Sequence, residues 1–214
     1  MKLSRAIALL RFLASVAVMS SVVWQVTDRL SHNLFRPGEY FAYFSIQGTL
    51  IVAVIFAYTG WLSLTNRPEV KLVTIARVSA TTYSLVIAVV YNALLRNSPG
   101  DARDAGYQWP VVPNEIMHVW TAVLILLDWL VLSGKFKLRL RAALWVALFP
   151  LAWLAFSVTR GLMTGWWAYW FLNPNDKGGV PGMLEYILGI TVLMIGLGTL
   201  LLAIRQGLHR KRLS

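Results

Sequence analysis

The chain contains no cysteine, so disulfides, thiolate nucleophiles, cysteine-ligated zinc and iron–sulfur clusters are excluded together. Charge is also scarce: 14% of the 214 residues are Asp, Glu, Lys or Arg, against about 25% in ordinary soluble domains. Acidic residues are the rarer sign, 9 against 20 basic, and there are only 3 histidines. No two histidines lie at ligand spacing on one helix, so no metal site and no cofactor is expected. No repeat at solenoid periods and no low-complexity stretch is visible.

What the chain does have is apolar sequence, 57% of its residues. Crossing ~30 Å of hydrocarbon at ~1.5 Å per residue takes about 20 mostly apolar residues in a helix. Stretches at about 7–26, 41–64, 72–95, 116–132, 142–158 and 183–204 meet or approach that length. Lipid offers backbone groups no partner, so these stretches must be helical unless a barrel closes. The expectation is an all-α fold: one polytopic integral membrane domain over residues 1–214, a bundle of six transmembrane helices. The first stretch follows Lys2 and Arg5 as a signal peptide would. Arg11 interrupts it and no small-x-small cleavage site follows, which favours a retained span.

A net charge of +11 would suit nucleic acid, but the basic residues sit at the ends of apolar runs, which fits membrane topology instead. Lys2, Arg5, Arg11, Arg67, Lys71, Arg77, Lys135, Lys137, Arg139, Arg141, Arg205, Arg210, Lys211 and Arg212 fall on one side of the alternating spans. Arg29, Arg36, Arg96, Arg103, Arg160 and Lys177 fall on the other. The positive-inside rule then makes both termini cytoplasmic in a multi-pass cell-membrane protein whose partners are membrane lipids. The outer loops, 97–113 and 165–181, are rich in Pro and Gly and are expected to cap the outer mouth. Trp166, Trp167, Tyr169, Trp170 and Phe171 read as an interfacial anchor, with a substrate role as the alternative. Gly189, Gly196 and Gly198 read as helix-packing positions.

Polar residues inside a span are costly, which marks them as functional candidates. Asn114, His118, Thr121, Ile125 and Asp128 follow helical spacing and share one face of the fourth span. Asp128 lies roughly 15 Å deeper than His118 at the helical rise, so the two cannot touch. Asp128 and Thr121 therefore read as structural polar groups, and Asn114 or Glu115 as a contact that orients the imidazole. Ser45 in the second span sits at a depth similar to His118, with Thr49 one turn deeper on the same face. A hydroxyl and an imidazole in one dry layer are the minimum for nucleophilic catalysis, so Ser45 or Thr49 is the candidate nucleophile and His118 the base. Tyr91, Asn92 and Arg160 can reach that layer as substrate contacts, Arg160 alternatively as a snorkelling anchor. His32 and His209 fall in a loop and a basic tail.

Two of these stretches resemble motifs of a known family. Tyr43-Phe44-Ser45-Ile46-Gln47-Gly48-Thr49-Leu50-Ile51 resembles its second-span motif, and Asn114-Glu115-Ile116-Met117-His118 its asparagine-x-x-methionine-histidine motif. The family is the androgen-induced-gene-like, or androgen-dependent TFPI-regulating-protein-like, group of six-span membrane proteins. Asp128-Trp129-Leu130, Thr159-Arg160-Gly161 and the aromatic run from Gly165 to Phe171 resemble its bacterial-type branch. The resemblance implies an intramembrane hydrolase of fatty-acid esters, with Ser45 where the family has a threonine nucleophile and His118 as base. The alternative from a different class is a non-enzymatic protein, a small transporter or lipid-binding scaffold, with His118 and Asp128 lining a polar cavity.

Overall fold

The computed structural model describes every residue except 1, 99–100, 105, 133–135, 137, 139–141, 177 and 212–214, with backbone alone at 2, 143 and 208–211. Lys135, Lys137, Arg139, Arg141, Lys177 and Arg212 therefore lie outside the described residues, as do the side chains of Lys2, His209, Arg210 and Lys211. The described residues are helices and connections, without a strand. Six helices are long and apolar enough to cross a membrane. They are α1 (Lys2–Ser31), α3 (Phe44–Leu64), α4 (Lys71–Val90) with a π-helical extension Tyr91–Leu95, α5 (Val111–Glu115) running through a π turn into α6 (Thr121–Leu132), α7 (Ala143–Thr164) and α8 (Gly179–Lys211). A short helix, α2 (Pro37–Tyr40), joins α1 to α3. The helices overrun the apolar stretches at most of their ends, because polar residues continue a helix into the interface where they leave hydrocarbon.

Local chemistry sets the ends of these helices. After α1 and α3 the chain turns through Asn33 and Asn66, both left-handed at φ 58° and 53°, a conformation asparagine tolerates. In each case the next amide reaches back five residues, Leu34 to the Arg29 carbonyl and Arg67 to the Leu62 carbonyl, both at 2.9 Å. These bonds close Schellman motifs that satisfy otherwise orphaned carbonyls.

α4 is the central helix, packed by α3, α6, α7 and α8, while α1 lies against α3. Its interior face is rich in hydroxyls, and Thr81 and Thr82 return theirs to the carbonyls four residues earlier at 2.8 Å. The close helix approaches are made by glycines other than those expected. A Cβ on Gly60 would meet Arg11 and Phe12 of α1 at 3.3 Å, one on Gly48 would strike Ile87 of α4, and one on Gly161 would strike Trp167 of the loop that follows α7. Gly189 and Gly196 face open space, and Gly198 is in ordinary contact with Thr82. The period of small residues in α8 does not mark a seam because α8 buries little of its surface.

The end of the bundle bearing both termini is ionic. Arg11 of α1 donates to Asp128 of α6 at 2.7 and 3.3 Å, and Arg77 of α4 donates to the other side of the same carboxylate. Arg77 also pairs with Glu69 at 2.8 Å, and Arg205 of α8 lies over the Trp129 ring at 4.7 Å. Asp128, read from the sequence as a structural polar group, could have served a neutral hydroxyl or amide. It serves two guanidinium groups instead, which supply more charge-matched donors than a neutral partner could.

At the opposite end the loops form a second ionic layer. Asp104 joins Arg29 and Arg36 at 2.7 and 2.6 Å, and Arg103 bridges Asp101 and Glu39. Arg29 also stacks on Trp109. The hydrogen bond from Arg103 holds the Asp101 carboxyl down at about 2.

Candidate functional site

Two π turns meet at one level of the bundle. Tyr91–Leu95 ends the third spanning helix, and Ile116–Trp120 sits between α5 and α6 in the fourth. A π turn frees a carbonyl from the regular ladder and recurs at functional sites. Here the Thr121 N–H and hydroxyl both donate to the Ile116 carbonyl, the hydroxyl at 2.7 Å, and Thr121 is buried. The outcome is a stacked pair, the Tyr91 and His118 rings lying 4.4 Å apart at 22°.

His118 Nδ1 lies 2.8 Å from the Asn114 carbonyl. A carbonyl can only accept, so Nδ1 carries the hydrogen and, in the neutral imidazole, Nε2 presents a lone pair. The Asn114 side chain donates to the Tyr91 hydroxyl at 2.9 Å, and that hydroxyl donates to Glu115 at 3.2 Å. Behind them Gln25 of α1 donates to Asn114 at 3.4 Å and accepts from Tyr40 at 3.1 Å. Asn114 and Tyr91 thus hold the imidazole in place, and the orienting contact expected one turn earlier is a backbone carbonyl.

Ser45 stands in the first turn of α3, where the leading amides have no intrahelical partner. Its N–H donates to the Tyr169 oxygen at 3.2 Å, and the Tyr169 hydroxyl donates to Ser45 Oγ at 3.5 Å. Burial pushes the Tyr169 hydroxyl above its ordinary pKa, so it remains a protonated donor. Tyr169 arrives on the aromatic run, which folds inward: Ala168, Phe171 and Leu172 are buried. Trp170 bonds the Leu94 carbonyl, and Trp166 packs on Tyr43. The run is a plug over the bundle more than the interfacial anchor expected.

Ser45, His118 and Tyr169 line one cavity of about 110 Å³, walled mostly by apolar side chains including Phe44, Trp153 and Leu172. No hydrogen bond joins Ser45 directly to His118 among the described residues. Thr49 is buried with its hydroxyl unpartnered, and it is not part of the cavity wall. Of the two hydroxyls open as nucleophiles, Ser45 is the one that shares a space with the imidazole.

Three expected contacts lie outside the cavity wall: Tyr91, bonded to Asn114 and Glu115, and two others. Asn92 is exposed and gives its amide to the Ala88 carbonyl at 2.8 Å. The Arg160 guanidinium is taken up by the Gly38 carbonyl and by the Trp166 ring, 4.4 Å away, which ties α2 to α7. Neither lines the cavity, because each polar end already has a local partner. His32 is exposed and sits on the Asp28 carbonyl. No group of three or more His, Asp or Glu suited to a metal ion occurs among the described residues.

Sequence reasoning missed Tyr169 as a partner of Ser45, and Gln25. The available signals were the single phenol at 169 among the indoles and an amide inside the first apolar run. Comparison of the chain with protein-family models, with curated proteins and with solved structures returns no match, so the site is judged on its own geometry.

Proposed function

We propose that this protein is an intramembrane hydrolase of lipid esters, with Ser45 as nucleophile and His118 as base. The observation that carries the reading is the shared cavity: the Ser45 hydroxyl, an oriented imidazole and a phenol in a space whose other hydroxyl, on Thr191, is bonded to its own helix and whose remaining walls are mostly apolar. The motif resemblance at 43–51 and 114–118 supports the same assignment and the family placement. The chain then lies in the cell membrane with both termini cytoplasmic and the site toward the outer leaflet, as the distribution of Lys and Arg favours.

In this reading Ser45 Oγ attacks the ester carbonyl and its proton passes to His118 Nε2. The oxyanion forms beside the Tyr169 hydroxyl at the N-terminus of α3, where the helix dipole also favours negative charge. Collapse breaks the bond to the alcohol, which leaves with the proton from His118. Water then attacks the acyl-Ser45 ester while His118 takes its proton, and the carboxylic acid departs as Ser45 recovers its hydrogen. Substrate must draw Ser45 and His118 together, since apo sites often hold such pairs apart.

Purified protein in detergent should be labelled by a fluorophosphonate at Ser45, and Ser45→Ala should abolish the adduct. An adduct that survives in Ser45→Ala sinks the assignment.

A further inference from the structure

The cavity is shut toward the loop end by Tyr169, Phe171 and Leu172, yet one side of it is open. Leu151 of α7 and Ile195 of α8 line it and are 58% and 52% exposed. In a membrane-crossing bundle an exposed aliphatic side chain in mid-helix faces acyl chains and not water. The wall between α7 and α8 is therefore a seam onto lipid.

Two further observations describe what passes through that seam. Pro150 of α7 lines the cavity and has no N–H for the Val146 carbonyl, which takes the Tyr83 hydroxyl at 2.8 Å instead. α7 is thus released from its regular ladder beside the opening. The lining of α8 runs from Ile187 to Ile195, roughly 12 Å at ~1.5 Å per residue. A space that long with a volume of about 110 Å³ is narrow. A cavity of ~150 Å³ is what houses a benzene ring, so a slim chain fits here and fused rings do not. Thr191, the other polar lining group, returns its hydroxyl to the Ile187 carbonyl at 2.7 Å and offers nothing to a polar ligand.

We infer that the α7–α8 seam is a lateral port by which one unbranched alkyl chain of a membrane lipid enters from the bilayer and lies along α8, with its polar linkage at Ser45 and His118. The port stands on the membrane-crossing character of the helices, and only the chemistry at its inner end rests on the hydrolase reading.

The test uses a straight-chain fatty acid carrying a mid-chain diazirine, in phosphatidylcholine vesicles containing the full-length Ser45→Ala protein. Irradiation should place adducts on Met194 and Phe171, which are 8% and 5% exposed and closed to bulk lipid. Adducts confined to outward-facing residues beyond the cavity, such as Leu148 and Val192, overturn the port. Ile190→Trp should lower the Met194 adduct about tenfold, the weight of ~1.4 kcal/mol, and an unchanged adduct overturns the proposal. Should that variant not fold, competition decides: an unlabelled straight-chain acid suppresses the adduct and a sterol does not, whereas equal suppression by the sterol overturns the single-chain assignment. Because Ser45 is absent, this result is independent of the fluorophosphonate adduct that judges the hydrolase reading.

Discussion

The ionic cluster at the terminal end and the cavity treat buried polarity in opposite ways. At the terminal end Asp128 receives two arginines, and Arg77 spreads its donors over Asp128, Glu69 and the Leu132 carbonyl. Around the cavity Ser45 Oγ has one long bond, the buried Thr49 hydroxyl has none, and His118 lines a mostly apolar space. A buried charge left uncompensated costs several kcal/mol, so a cluster that complete is a means of joining helices. Underused hydroxyl and imidazole groups are instead free to act on a ligand, and polar character within a span marks function only where the partners run out.

The largest effect expected from breaking this contrast is at Asp128. Asp128→Ala strands Arg11 and Arg77 and should destabilise the fold by about 3–5 kcal/mol, measured by denaturant unfolding in detergent. Ser45→Ala should change the same measurement by no more than ~1 kcal/mol, the weight of one neutral hydrogen bond, and similar losses in both would erase the distinction. Next comes Tyr169→Phe, which removes the donor proposed for the oxyanion but keeps the ring. Reaction of Ser45 with an ester should slow about 10²–10³-fold with little change in unfolding. An unaltered rate would reduce Tyr169 to packing.

The smallest effect is expected in the loop-end ionic layer. Its hydrogen bond to Arg103 holds the Asp101 carboxyl at about 2 in the folded chain, against an ordinary 3.8. A depressed carboxyl contributes stability that is present above its unfolded value and is lost as pH falls through the folded one. The bridge to Arg103 should therefore persist at pH 4 and open near pH 2, as followed by the Asp101 side-chain carbon in NMR. Titration near 3.8 would show that the bridge is absent in solution.

Much of the frame was legible from composition, because hydrocarbon thickness prescribes a length and an apolarity that six stretches satisfy. Ser45 and His118 were legible as candidates because a hydroxyl and an imidazole stood at matching depths. Asn92 and Arg160 misled, since counting residues from a boundary gives depth but not the direction of a side chain. The π turns were invisible, because an extra residue in one turn leaves no mark in apolar spacing. Tyr169 was hidden for a related reason: whether an aromatic run lies in the interface or folds over a bundle depends on what waits beneath it, here Ser45 and the Gly161 surface.

By itself the sequence determined that the chain is helical, that six of its helices suit a membrane, and that metal and thiol chemistry have few or no residues to use. Those conclusions follow from local quantities: residue type, run length and charge. Tertiary structure alone decided that Asp128 is an arginine clamp, that His118 presents Nε2, and that Ser45 shares its cavity with Tyr169. Each of these depends on side chains from different helices meeting at one point, and no local pattern encodes the rotation of one helix about its axis relative to the next.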